Sequence, residues 1–141
     1  MMVDQLTVFL ENEQGRLAAL ARALGEAAIS MRALTVADTA KFGVVRIIAD
    51  QPAEACQALE AQGFRAALTK VFAVEVEHVA GGLAPLLEAF DAAGINVEYA
   101  YCFLSEGGRA VDVFRTDKAD EAESVISAAG FRSLAPEELY A

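Results

Sequence analysis

Apolar and polar positions alternate with period two at Leu6, Val8 and Leu10, and again at Phe72, Val74 and Val76. Each run predicts a strand with one buried face. A glycine turn follows each, and then the spacing changes to that of a helix. The helical stripe is Leu17, Leu20, Ala21, Leu24 and Ala28 in the first case, and Leu83, Leu86, Leu87, Phe90 and Gly94 in the second. Pro85 falls in the first turn of its helix if Gly81 is the N-cap, where a missing N–H costs little. A second strand is predicted from Ile29 and from Ile95, and a third over Phe42–Ala49 and Arg109–Arg115. Between them, Asp38–Lys41 and Ser105-Glu106-Gly107-Gly108 read as hairpin turns. Asp50 and Asp117 are placed to cap a second helix, with Pro52 near the start of one and Asp120 three residues after the other. Gly63 and Gly130 end these helices, and Phe-Arg opens a last strand each time.

The order of elements is therefore βαββαβ, twice. A shift of 66 residues lays Leu6, Val8, Leu10, Gly15, Leu17 and Ile29 on Phe72, Val74, Val76, Gly81, Leu83 and Ile95, and Val45 on Val111. With one extra residue inserted after that point, Asp50 and Gly63-Phe64-Arg65 fall on Asp117 and Gly130-Phe131-Arg132. The pattern predicts a duplicated α+β chain, with copies over 1–68 and 69–141. Each copy is a ferredoxin-like, four-stranded antiparallel sheet with two helices on one face. The first and third strands are central. The second-strand edges are free to pair, giving one eight-stranded sheet and relieving the marginal stability of a ~65-residue domain. The faces turned from the helices are expected to carry Phe9, Val44, Ile48 and Phe114 beside Thr7, Arg46 and Asp112.

Composition then narrows the function. Of 141 residues, 55% are hydrophobic and 23% charged, and 11 Lys+Arg stand against 21 Asp+Glu for a net charge of −10. That charge argues against a nucleic-acid partner and against docking on an anionic membrane. There is no spanning apolar run and no basic leader before one, so a cytoplasmic protein is expected. Cys56 and Cys102 make neither a disulfide framework nor a metal site, and each reads as a packed residue. His78 is the only histidine. Catalytic triads, metal centres and phosphate loops find no support, so no cofactor and no enzymatic activity are expected.

What remains is the turn between first strand and first helix: Asn12-Glu13-Gln14-Gly15-Arg16-Leu17, and His78-Val79-Ala80-Gly81-Gly82-Leu83. Its glycine lets the backbone turn sharply and present first-turn N–H groups, which suit a carboxylate. Asn12 has both donor and acceptor atoms for an amino acid. A local helix-start role for Asn12 stands equally open.

Asn12-x-x-Gly15-x-Leu17 after an apolar strand, with Gly94-Ile95-Asn96-Val97 further on, resembles the ACT domain over about residues 3–135. The resemblance implies a regulatory pair that binds a small molecule, usually an amino acid, between the turn of one copy and the second strand of the other. One pocket would then use Asn12, Glu13, Gln14, Gly15, Arg16 and Leu17 with Ile95, Asn96 and Val97. The reciprocal one would use His78, Gly81, Gly82 and Leu83 with Ile29, Ser30 and Met31. Asn12 is replaced by His78 and Arg16 by Gly82, so the pockets should differ, and the Asn12/Asn96 pocket keeps the more usual residues. Tyr99 and Tyr101 share one strand face and read as core filling, or as a hydroxyl offered at the seam. The resemblance also implies a homo-oligomer, a dimer, and an unidentified regulated partner. Two alternatives are a ligand-free assembly module and an acylphosphatase-like enzyme, to which Arg16 with Asn12 is a superficial match.

Overall fold

The computed structural model describes residues 1–38, 41–105 and 107–140. The chain divides into two compact units. The N-terminal unit is Asp4–Thr69 with Tyr140, and the C-terminal unit is Met1–Val3 with Lys70–Leu139.

In the N-terminal unit, β1 (Val3–Glu11), α1 (Arg16–Glu26), β2 (Met31–Asp38), β3 (Phe42–Ala49) and α2 (Pro52–Ala61) precede β4 (Arg65–Val76). The strand order is β2-β3-β1-β4, with the first and third strands central as expected. Leu6, Val8 and Leu10 lie opposite Ile47, Val45 and Gly43 and form a core with Leu20, Leu24, Leu59 and Phe64. Along α1 the buried positions are Leu20, Ala23 and Leu24, whereas Leu17 is exposed. The opposite face of β1 is buried at Gln5 and Thr7, and Thr7 Oγ1 lies 2.8 Å from Thr69 Oγ1. Tyr140 closes the unit: its hydroxyl donates to the Asp4 carbonyl (2.6 Å) and accepts from the Asp4 N–H (2.7 Å). Burial pushes its pKa up to about 12.

The C-terminal unit continues β4 and adds α3 (Ala84–Ala92), β5 (Val97–Leu104), β6 (Ala110–Thr116), α4 (Ala119–Ala128), β7 (Arg132–Ser133) and α5 (Pro136–Leu139). β4 pairs with β6 and β7, and β6 pairs with β5. Its core joins Phe72, Val74, Val76 and Phe114 to Leu86, Phe90 and Ile126, and Phe90 meets Phe114 edge-on at 5.8 Å between ring centroids.

Several expectations are corrected. The strands number seven among the described residues, not eight. Between Arg65 and Val76 there is no glycine or proline to break the chain, so the last strand of copy one and the first of copy two run on as one 12-residue strand. The second-strand edges do not make an eight-stranded sheet: among the described residues β2 pairs only with β3 and β5 only with β6. Both second strands start two residues later than expected, at Met31 and Val97. Neither Asp50 nor Asp117 caps a helix: the N-caps of α2 and α4 are Gln51 and Lys118, without side-chain cap bonds. Instead Asp50 Oδ1 accepts from the Ser30 N–H (3.0 Å) and Asp117 Oδ1 from the Asn96 N–H (2.8 Å). Each Asp also donates its own N–H to that residue's carbonyl, at 3.0 and 3.1 Å. The result is a clasp between the second and third strands, at the end away from their hairpin. The predicted turns at 38–41 and 105–108 fall partly outside the described residues. Gly107 and Gly108 have φ of 86° and 78°, as tight turns need.

The copies also differ in register from the expected alignment. Val8 faces Val45, but its counterpart Val74 faces Asp112. Val45 thus corresponds to Asp112, and the extra residue lies in the hairpin turn rather than after the third strand. Because cross-strand partners share a face, Phe114 and Asp112 point to the helices, not away from them. Asp112 is 6% exposed, and no ion pair or side-chain hydrogen bond of its carboxyl occurs among the described residues.

Burial lifts the Asp112 carboxyl above its ordinary 3.8. A raised folded pKa means the native state binds more protons than the unfolded one. The stability this contributes is complete below 3.8 and is lost as pH rises through the folded pKa. Asp112→Val should therefore raise stability at pH 7 by about 1–3 kcal/mol, with the gain shrinking towards pH 4. Urea melts of both proteins at the two pH values check this, and an equal gain at both would refute it.

Candidate functional site

The two strand–helix turns have one backbone design. Glu13 N–H donates to the Glu11 carbonyl (2.8 Å) and Arg16 N–H to the Glu13 carbonyl (3.3 Å). In the second copy Val79 N–H reaches Glu77 (3.0 Å) and Gly82 N–H reaches Val79 (3.0 Å). Gly15 and Gly81 take φ of 88° and 78°, a left-handed conformation that favours glycine. Asn12, Glu13, Gln14 and Gly15 are exposed, and no side chain caps α1. The capping role open to Asn12 is thus unused, and its side chain stays available to solvent.

The turns then diverge. Gly15 is the N-cap of α1, but α3 starts later, with Leu83 as N-cap rather than the expected Gly81. A Cβ at Gly82 would lie 2.3 Å from the Glu77 carbonyl oxygen, so only glycine fits there. At the corresponding position Arg16 carries a long side chain, half-buried, whose guanidinium sits over the Phe64 ring at 5.1 Å from its centroid. His78 and Gly81 are exposed, and Leu83 packs on the C-terminal core. A cavity of about 360 Å³ opens beside Gly81 and Gly82, walled by Val79, Pro85 and Phe131.

The predicted second-strand residues are placed as follows. Ile29 and Ile95 are buried in the two cores, and their N–H groups bond to Leu24 and Phe90 carbonyls. What they leave for a ligand is a carbonyl oxygen, not a side chain. Ser30 and Asn96 expose their side chains, while their N–H groups are held by the aspartate clasps. Met31 is 40% exposed and Val97 is half-buried against the C-terminal core. Tyr99 and Tyr101 are half-buried on the sheet face away from the helices, paired with Arg115 and Val113.

Nucleophilic and metal chemistry gain nothing from the structure. The Cys56 thiol donates to Glu60 Oε1 (3.1 Å), and burial with that carboxylate raises its pKa to about 11, so it stays protonated. No group of three or more metal-ligating side chains occurs among the described residues. No helix among them is long and apolar enough to cross a membrane.

Sequence reasoning missed the corners at the end of the second helices. Gly63-Phe64-Arg65 and Gly130-Phe131-Arg132 each line a cavity with the end of the first strand. The repeated tripeptide was visible as a mark of duplication, and nothing in its spacing pointed to a cavity.

Residues 1–141 match the family model described as "ACT domain pair". No curated protein matches the chain. Among solved structures, protein BT0572 from Bacteroides thetaiotaomicron is 34% identical, with 99% of this chain and 96% of that one covered at a TM-score of 0.92. The ligand-free regulatory subunit of aspartate kinase from Thermus thermophilus is 20% identical over 90% of this chain and 92% of its own, TM-score 0.65. That from Thermus flavus is 20% identical over 89% of each chain, TM-score 0.64. At this identity the two share the fold.

Proposed function

Because the chain belongs to the ACT domain pair family, we propose that it is a non-enzymatic regulatory protein whose strand–helix turns bind an amino acid. The observation that carries this is the pair of turns with one hydrogen-bond design and different side chains. The backbone is repeated, yet Asn12 and Arg16 stand where the other copy has His78 and Gly82. Repeated geometry with unlike chemistry is what two non-equivalent ligand sites need. In this reading one turn acts through Asn12 to Leu17 and the other through His78, Gly81, Gly82 and Leu83. The starts of the second strands, Ile29, Ser30 and Met31 and Ile95, Asn96 and Val97, supply further contacts, and Tyr99 offers its hydroxyl. The helix N-terminus meets the carboxylate, and an exposed amide, Asn12 in one copy and Asn96 in the other, supplies polar contacts.

An exposed apolar stripe on β2, with Leu34 at 42% and Val36 at 48%, supports self-association as a dimer. Occupancy would bias that association and so inform a regulated partner. The free cysteines fit a reducing cytoplasm.

The test is a thermal-shift screen of the twenty amino acids, with sedimentation velocity on any that act. At a hundredfold excess over Kd one of them should stabilise by about 2.7 kcal/mol. Asn12→Ala and Asn96→Ala should each weaken the response at least about tenfold, the loss of one buried hydrogen bond to a charged group. No shift with any amino acid at millimolar concentration would sink the proposal.

A further inference from the structure

The corner cavities differ between the copies in a way that identifies a ligand class. In the C-terminal unit a cavity of about 240 Å³ is lined by Glu75, Arg109, Phe131 and Arg132 among others. There the Glu75 carboxylate lies between two guanidinium groups, 2.9 Å from Arg109 Nε and 3.0 Å from Arg132 Nη1. The equivalent cavity of the N-terminal unit, about 150 Å³, is lined by Phe9, Glu11, Arg16, Phe42, Phe64 and Arg65. Phe9 occupies the place of Glu75, Phe42 that of Arg109, and Arg65 that of Arg132. The Glu75 carboxylate has no counterpart here, Glu11 matching Glu77 instead, and aromatic rings stand in its surroundings.

Two cations remain at this corner. Arg16 sits over Phe64 at 5.1 Å and Arg65 over Phe9 at 6.0 Å from the ring centroids. Neither forms an ion pair with a described residue, and Arg16 Nε is buried without a hydrogen-bond partner. A buried, unsatisfied N–H costs free energy that an incoming acceptor would recover. Phe9 and Phe42 are 47% and 55% exposed and form apolar walls of the cavity.

We propose that this corner binds a small monocarboxylate with an apolar, ring-sized body, and that the C-terminal copy, already filled by Glu75, does not. Guanidinium groups are matched to a carboxylate by their paired donors, and the three phenylalanines take the body of the ligand. Glu11 on the same lining repels a second negative charge, as does the overall charge of −10. Dicarboxylates and inorganic phosphate are thereby disfavoured. The site lies within one unit and shares Arg16 with the turn pocket proposed above, whereas Phe9, Phe42, Phe64 and Arg65 belong to the corner alone.

The experiment is an NMR titration of the uniformly ¹⁵N-labelled full chain with sodium benzoate, at ionic strength held constant with chloride. Saturable shifts are expected at the Arg16 and Arg65 Nε–Hε groups and at the Gly63 amide. Benzamide, the neutral isostere, should bind at least about tenfold more weakly, the worth of a charge-assisted contact. Phe9→Glu copies the C-terminal corner at an exposed position and should weaken benzoate binding by the same factor or more. Arg65→Gln should do likewise without introducing a charge. Shifts that fail to saturate, equal binding of benzamide and benzoate, or unchanged binding by both variants would each overturn the proposal.

Discussion

Replacing Phe114 by alanine should lower the stability of the protein by about 3–5 kcal/mol, the range for deleting a large aromatic from a core. Its ring is fully buried and meets Phe90 edge-on, 5.8 Å between centroids. Truncation removes this contact along with those to the Phe72 side of the cluster. Loss of the aromatic pair adds about 0.5–1.5 kcal/mol to the burial lost. The value is informative because the alternating pattern of β6 admits two registers. With Phe114 on the face turned from the helices, the substitution would cost under about 1 kcal/mol, as at an ordinary surface position. Urea denaturation, read as a fall in midpoint at constant slope, distinguishes the two. A loss below 1 kcal/mol would refute the register, and Asp112 would then have to be moved out of the core with it.

The second large effect is expected at Gly82, where alanine should destabilise by about 2–3 kcal/mol, towards the upper part of the range for overpacking. The added Cβ would lie 2.3 Å from the Glu77 carbonyl oxygen and 3.2 Å from that of Val79. Both are backbone atoms, and the Val79 carbonyl also accepts the Gly82 N–H. Neither can rotate aside as a side-chain tip would. Relief requires the turn to open, towards the form in which the helix starts at Arg16. Gly81→Ala provides the comparison: its φ of 78° imposes strain, but nothing lies within 4 Å of the new atom. That variant should cost about 1–2 kcal/mol. Thermal melts of both variants check the order, and Gly82→Ala at or below the cost of Gly81→Ala would contradict the steric argument.

Much of the fold was legible because it rests on local signals. Leu6, Val8 and Leu10 alternate cleanly, Pro52 and Pro85 mark helix starts, and Gly63 and Gly130 take the left-handed conformation that ends a helix. The strand–helix turns were legible as turns for the same reason: a glycine and a short polar run act within a few residues of one another. What escaped depends on partners distant in sequence. Asp50 sits at the right place for a cap, and its preference for the Ser30 N–H, twenty residues away, is fixed only once β2 and β3 pair. The buried face of β6 was misread because Val111 and Val113 are as apolar as the residues between them are mixed, so periodicity alone could not choose. The fusion of two strands into β4 left no mark except the missing turn-formers between Arg65 and Val76. The cavity at Arg16 and Phe64 joins residues 48 positions apart, beyond any motif.

The aspartate clasps bear on how this chain can change in length. Each pins one end of a two-strand ladder, Ser30 to Asp50 and Asn96 to Asp117, and so anchors the pairing from the side opposite the hairpin. A residue gained between the two strands then need not slide them past each other. The copies already differ in this way, with the same ladder, the same irregularity two residues into it, and a turn one residue longer in the second. The hairpin tips are accordingly where inserted peptides would be carried with the core register intact, which makes them natural ports for grafted epitopes or reporters.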